Sequence, residues 1–116
     1  METKDIYMLV KNKFNIEFNE DARTYIFKEV DAAIENGVIE TKDAELATNA
    51  LIAVGVETAK QNNINVIRSY DIKKNWKKVA MVPGNCPPHL CLFQTVVSRI
   101  NEFSNALPSF KMLKNL

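Results

Sequence analysis

The chain contains few of the residues that most catalytic and metal-binding sites require. Among its 116 residues are one histidine, two cysteines and three glycines. A single histidine leaves little material for general acid–base catalysis. The sequence also lacks a glycine-rich phosphate loop, a paired-histidine helix motif, a nucleophile elbow and a calcium-loop pattern. We therefore predict a protein that acts by binding, that is not an enzyme and that uses no cofactor.

Long apolar runs are also lacking. No run approaches the ~20 residues that a membrane-spanning helix needs. The first five residues, Met1-Glu2-Thr3-Lys4-Asp5, lack the basic start and long apolar stretch of a signal peptide. These absences predict an intracellular protein, cytoplasmic or nuclear, with no membrane partner. In that environment the cysteines are expected to be thiols, although Cys86 and Cys91 are close enough in sequence to be joined.

The composition is that of one globular domain. Hydrophobic residues make up 47% of the chain and charged residues 25%, which is typical of soluble domains. A domain of this length buries roughly two thirds of its unfolded surface, so its stability requires neither disulfides nor metals. We predict a single domain over residues 1–116.

Charge is divided unevenly along the chain. Residues 1–58 contain six Lys/Arg and twelve Asp/Glu, a net charge of −6, whereas residues 59–116 contain nine Lys/Arg and two Asp/Glu, a net charge of +7. This asymmetry indicates a dipolar molecule whose basic half can bind nucleic acid or an acidic protein. The alternative is that the two halves neutralise each other across the fold or across a homodimer.

Apolar spacing predicts a mainly α-helical fold, a small bundle of four or five helices. The opening helix lies around residues 6–13. A second helix follows Asn19 as its N-cap and ends at Gly37, and an alanine-rich third helix follows Thr41. Gly55 lies in the middle of this third helix, which indicates that a neighbouring element packs closely there.

The segment between residues 64 and 82 allows two interpretations. We favour a helix that extends to about Trp76, because the surrounding chain is helical and a lone strand needs a partner. The alternative is a short β-hairpin near residues 64–82, with Val79-Ala80-Met81-Val82 as its second strand. Extended chain is also predicted at residues 15–18, where apolar and polar residues alternate.

The C-terminal third is predicted to form one more amphipathic helix and a tail. The helix contains Leu90 to Leu107, and Pro108 ends it. The tail, residues 108–116, has four large apolar residues, so we expect it to pack on the domain or to contact a partner.

The first candidate site is a basic segment around the only tryptophan. Between Lys60 and Lys78 there are six basic residues and one acidic residue. Lysines neutralise phosphates without reading sequence, and an exposed tryptophan could stack on a base or anchor a protein interface. The alternative is a solvated basic face with the tryptophan in the core. The candidate residues for binding a protein partner or nucleic acid are Arg68, Tyr70, Lys73, Lys74, Trp76, Lys77 and Lys78.

The second candidate site is the pattern Cys86-x-x-His89-x-Cys91. Structural zinc sites use four ligands, usually in two separated pairs, and only three candidates are present in this one short segment. A catalytic thiol needs a base within hydrogen-bond reach, and Pro87-Pro88 hold the intervening chain extended. We therefore favour a stiff connection into the last helix over a thiol- or metal-dependent enzyme.

Two stretches are similar to a known family. They are Ile6-Tyr7-x-Leu9-x-Lys11-x-Lys13-Phe14-Asn15-Ile16, followed by Ala22-x-x-Tyr25-Ile26, and Val66-Ile67-Arg68-Ser69-Tyr70-Asp71-Ile72. The first resembles the helical N-terminal domain of the second subunit of DNA polymerase epsilon, and the second resembles the segment that follows that domain. The resemblance implies a non-catalytic role, the docking of a polymerase assembly onto a replicative helicase through helical surfaces.

Overall fold

The computed structural model describes residues 3–80 and 92–114. The elements within these ranges are α1 (Thr3–Phe14), β1 (Glu17–Phe18), α2 (Glu20–Glu35), a 3₁₀ turn (Thr41–Asp43), α3 (Ala44–Asn62), β2 (Val66–Ile67), α4 (Ser69–Ala80), α5 (Leu92–Ser98), α6 (Ile100–Ala106) and α7 (Pro108–Lys114). The prediction of a mainly α-helical bundle is confirmed. The described ranges contain seven α-helices, which is more than the four or five predicted.

Helix α3 is the centre of the bundle. Its residues from Ala50 to Val56 are all buried, and α1, α2, α4, α5 and α7 all pack against it. A helix that is apolar around its whole circumference must be covered on every side. The many alanines of α3 keep its surface narrow, so that several helices can approach it closely.

Gly55 is required where α3 meets β1. A Cβ atom placed on Gly55 would lie 2.5 Å from Cε2 and 2.6 Å from Cζ of the Phe18 ring. Real Cβ atoms essentially never come within 3.0 Å of an atom of a distant residue. The prediction that Gly55 marks close packing in the third helix is confirmed.

Glycine and asparagine end the first three helices. After α2, the Gly37 N–H donates to the Ile34 carbonyl at 3.0 Å, and Gly37 has a φ of 71°, which is the geometry expected of a C-terminal glycine. Asn15 and Asn63 follow α1 and α3 with φ values of 57° and 55°. Asparagine tolerates this left-handed conformation better than most residues, so in this glycine-poor chain it ends two helices.

The predicted N-caps are correct for α2 and wrong for α3. Asn19 occupies the N-cap position of α2. Thr41, however, opens the 3₁₀ turn, and the N-cap position of α3 is Asp43. The difference arises because the Asp43 N–H donates to the Glu40 carbonyl at 2.9 Å, which closes a tighter turn before the α-helix begins.

The two strands pair with each other in parallel. Glu17 lies opposite Val66 and Phe18 opposite Ile67. The predicted extended chain at residues 15–18 therefore contains β1, which supplies the partner that the segment at 66–67 needs. A β-hairpin near residues 64–82 is wrong for the described residues, because the partner of β2 is β1 and Val79 is buried within α4.

The single C-terminal helix predicted between Leu90 and Leu107 is broken at Arg99, which has φ −134° and ψ 50°. Just before the break, the Ser98 hydroxyl donates to the Gln94 carbonyl at 2.6 Å, a contact that bends helices. Pro108 ends α6 as predicted, since the residue before a proline prefers an extended conformation, and Pro108 then opens α7.

The tail packs on the domain as far as it is described. Phe110 and Leu113 of α7 are buried, and the Phe110 ring meets the Phe103 ring edge to face with centroids 4.9 Å apart. Within residues 3–80 and 92–114, no helix is long and apolar enough to cross a membrane.

Candidate functional site

Helix α4 has one buried face and one basic face. Ile72, Trp76 and Val79 are spaced four and three residues apart, so they lie on one side of the helix, and all three are buried. This side packs against α3 and α2. The lysines of α4 lie outside this buried stripe.

Trp76 is part of the core. Its side chain is only 4% exposed, because it shares the apolar stripe with Ile72 and Val79. The hypothesis of an exposed tryptophan that stacks on a base or anchors an interface is therefore wrong for this structure, and the alternative of a core tryptophan is confirmed. Tyr70, which is 64% exposed, is the aromatic residue on the accessible side of α4.

Tyr70 lies at the start of the basic face, in the first turn of α4. Three lysines follow Tyr70 at the spacings of three, four and seven residues that bring side chains to one side of a helix. They are Lys73, Lys74 and Lys77. The Lys74 ammonium lies 5.6 Å from the centroid of the Tyr70 ring, within the range of a cation–π interaction. Lys78 is exposed at the far end of the same helix. We call this surface, made of Tyr70, Lys73, Lys74 and Lys78, the α4 basic face.

Two carboxylates lie near the α4 basic face: Asp71 follows Tyr70, and Glu29 accepts a hydrogen bond from Tyr25. Among the residues that the structure describes, no carboxylate forms an ion pair with Lys73, Lys74 or Lys78. The Lys73 ammonium lies 5.1 Å from the Tyr25 ring centroid, so it is held by an aromatic ring of α2. Lys77 is half-buried and lies 5.8 Å from the Trp76 ring centroid. Three exposed positive charges therefore remain available to an anionic ligand.

Two carboxylates fix the start of α4. The Arg68 N–H donates to Oδ2 of Asp71 at 2.9 Å, which is half of a capping box. The Ser69 hydroxyl and N–H both donate to Oδ2 of Asp21, at 2.8 and 3.2 Å. The hydrogen bond from the Ser69 side chain is the main cause of a lowered pKa of Asp21. Asp21 belongs to α2, so these bonds join α4 to a second helix and hold the basic face in place.

Cys86, His89 and Cys91 lie outside the described residues, so the structure places none of them. In the two ranges that the structure does describe, no group of three or more His, Cys, Asp or Glu side chains could hold a metal ion. Comparison of the chain with protein-family models, with curated proteins and with solved structures found no match.

Sequence reasoning missed an apolar groove on the other side of α2. The groove has a volume of about 580 Å³ and lies between α1, α2 and the start of α3. Phe27 lies at the edge of the groove and is 71% exposed. Tyr7 also lines the groove, and burial raises the pKa of Tyr7 to about 12. Phe27 directly follows Ile26 and falls outside the buried face of α2, which is formed by Ala22, Ile26, Val30 and Ala33. That misplaced aromatic residue is the sign in the sequence that could have revealed the groove.

Proposed function

We propose that the protein is a non-catalytic, nucleic-acid-binding module that uses the α4 basic face. The observation that supports this most directly is an exposed Tyr70 with the Lys74 ammonium beside its ring, and with Lys73 and Lys78 exposed on the same helix outside the buried stripe that contains Trp76. Lysine ammonium groups neutralise phosphates, and an exposed aromatic ring stacks on bases of any sequence.

Single-stranded nucleic acid suits this face better than a duplex. Tyr70 can stack only on a base that is not already stacked in a helix. Lysine is a point charge without the forked geometry that reads guanine, so we expect binding with little sequence preference. The interaction should therefore be dominated by phosphate contacts and weaken steeply with salt.

An acidic protein is a less suitable ligand for the same face. Protein interfaces are depleted in lysine and depend on a few buried aromatic or arginine anchors. With Trp76 in the core, Tyr70 is the one large aromatic residue that α4 exposes. The place in a replication assembly that the polymerase epsilon resemblance implies has no support beyond the residues that resemble that family.

The test compares two triple variants with the same change in net charge. The first, Lys73→Gln/Lys74→Gln/Lys78→Gln, neutralises the α4 basic face, and the second, Lys42→Gln/Arg99→Gln/Lys111→Gln, neutralises exposed residues outside α4. Binding of a labelled oligothymidine is measured by fluorescence anisotropy at several salt concentrations. We expect the first variant to reduce the slope of log affinity against log salt by about 2, roughly 0.7 for each phosphate that a lysine no longer neutralises. The second should leave the slope unchanged.

Tyr70 provides an independent check on stacking. Tyr70→Ala should weaken binding roughly 5- to 150-fold, the equivalent of about 1–3 kcal/mol for one stacked base, whereas Tyr70→Phe should retain it. Equal effects of the two triple variants would refute the assignment to α4.

If the wild-type protein does not bind oligonucleotides, the proposal of nucleic-acid binding is refuted. If it formed a salt-sensitive dimer in sedimentation instead, the basic half would bind the acidic half of a second copy.

A further inference from the structure

The surface next to Tyr70 continues as a groove along the loop between α3 and β2. One part of the groove, about 610 Å³, is lined by Tyr70, Arg68 and Val66. A second part, about 420 Å³, is lined by Lys60 and Phe14. Both parts share residues 63–65 of the loop as lining, so they lie next to each other along the loop and together form a path from Tyr70 towards Lys60. We call this path the loop groove.

Positive charge lies at both ends of the loop groove. Arg68 is exposed at the Tyr70 end. At the other end the Lys60 side chain is 44% exposed, and its ammonium lies 3.7 Å from Oε1 of Glu57 and 4.5 Å from the centroid of the Phe14 ring. The carboxylate that lines the groove, Asp71, already accepts the Arg68 N–H. A polyanion that leaves Tyr70 along this path therefore meets a second cation, Lys60, and competes with Glu57 for it.

Asparagine residues line the loop groove, Asn63 and Asn65 where its two parts meet and Asn15 in the part beside Lys60. Asn15, Asn63 and Asn65 are all exposed there. An amide group both donates and accepts hydrogen bonds, so it can pair with a base edge or a sugar without selecting one base.

We infer that the loop groove is the continuation of the binding site, and that a single strand stacked on Tyr70 runs along residues 63–65 and places a later phosphate at Lys60. This inference rests on the proposed function and adds the route of the strand and its second phosphate contact. It predicts that short oligonucleotides use only the α4 basic face, whereas longer ones also contact Lys60.

The test uses oligothymidines of about 4 and about 16 nucleotides, which bracket the site sizes of single-strand-binding domains. Lys60→Gln should reduce the salt slope for the long oligonucleotide by about 0.7, the value for one phosphate contact, and leave the short one unchanged. Lys60→Arg, which keeps the charge beside Phe14, should bind both like the wild type. Lys42→Gln is the matched control for loss of one exposed lysine, and thermal unfolding of each variant confirms that it is folded.

The path can also be located directly. A photoreactive base in the middle of the long oligonucleotide should cross-link to the peptide that contains residues 63–65. If Lys60→Gln binds the long oligonucleotide with an unchanged slope and no cross-link forms there, the inferred path is wrong. A reduced salt slope of the Lys73→Gln/Lys74→Gln/Lys78→Gln variant would still support the proposed function. If that variant binds normally, both the proposed function and the path fail.

Discussion

Gly55 illustrates how one hydrogen atom in place of a methyl group can determine the packing of two elements. The Phe18 ring occupies the space that a Cβ atom of residue 55 would need. Phe18 is buried and also packs against Tyr7, with ring centroids 5.3 Å apart, so it cannot withdraw freely. The position of β1 against α3 therefore depends on the absence of a side chain at residue 55.

Replacing Gly55 with alanine should destabilise the protein. Overpacking a core costs about 1–3 kcal/mol, and the better helix propensity of alanine offsets about 1 kcal/mol of that. We expect a net loss of up to about 2 kcal/mol in the free energy of unfolding, measured with urea. The loss should shrink in a Phe18→Leu background, because leucine lacks the Cε2 and Cζ atoms that clash. A Gly55→Ala protein more stable than the wild type would contradict this packing.

The aromatic residues of α4 show which features of the site the sequence could predict. Ile72, Trp76 and Val79 already have the spacing of one helix face in the sequence, so the burial of Trp76 follows once this segment is known to be helical. The exposure of Tyr70 follows in the same way. The sequence left open whether residues 64–82 are helix or hairpin, and for that reason it could not decide which aromatic residue is accessible.

An element could be predicted from the sequence when the residues that determine it lie close together in the chain. Helices α1 to α3 were predictable because apolar periodicity and cap residues act within a few positions. The parallel pairing of β1 with β2 joins Glu17 to Val66, and no local pattern reveals a partner that lies so far away in sequence. The loop groove was unpredictable for the same reason, since it forms where the end of α1 meets the end of α3.

The junction between α2 and α4 should depend on pH through Asp21. Hydrogen bonds from Ser69 lower the pKa of Asp21 in the folded protein below its ordinary value of 3.8. The unfolded chain therefore takes up the proton at a higher pH than the folded protein. The stabilisation is present above about pH 4 and is lost as the pH falls from 3.8 through the lowered value.

Asp21→Asn should remove this contribution. We expect the variant to be less stable than the wild type at pH 7, and the difference between the two to diminish towards pH 3, as measured by urea unfolding at several pH values. The effect should be small, because Asp21 is exposed and solvent weakens its interactions. Asp31→Asn makes the same charge change on α2 away from Ser69 and serves as the control. A pH dependence that is equal in both variants would argue against a specific Asp21–Ser69 junction.

The whole molecule is organised around α3, and this arrangement predicts cooperative unfolding. Helix α4 with Trp76 and helix α7 with Phe110 both pack on α3. A substitution that destabilises the packing of α7 should therefore also destabilise α4, because both helices pack on α3. Trp76 is the only tryptophan in the chain, so its fluorescence reports on α4, whereas far-UV circular dichroism reports on all helices.

Phe110→Ala tests whether residues 1–116 behave as a single domain. Truncation of a fully buried phenylalanine costs about 3–5 kcal/mol, and in one cooperative unit the fluorescence and circular dichroism transitions should shift by the same amount. Phe27→Ala makes the same substitution at a 71% exposed residue and should change stability by no more than about 0.5 kcal/mol.

If Phe110→Ala shifts the circular dichroism transition and leaves the Trp76 transition in place, α4 and its basic face belong to a unit that folds separately from α7. In that case the α4 basic face would not require the C-terminal helices for its geometry.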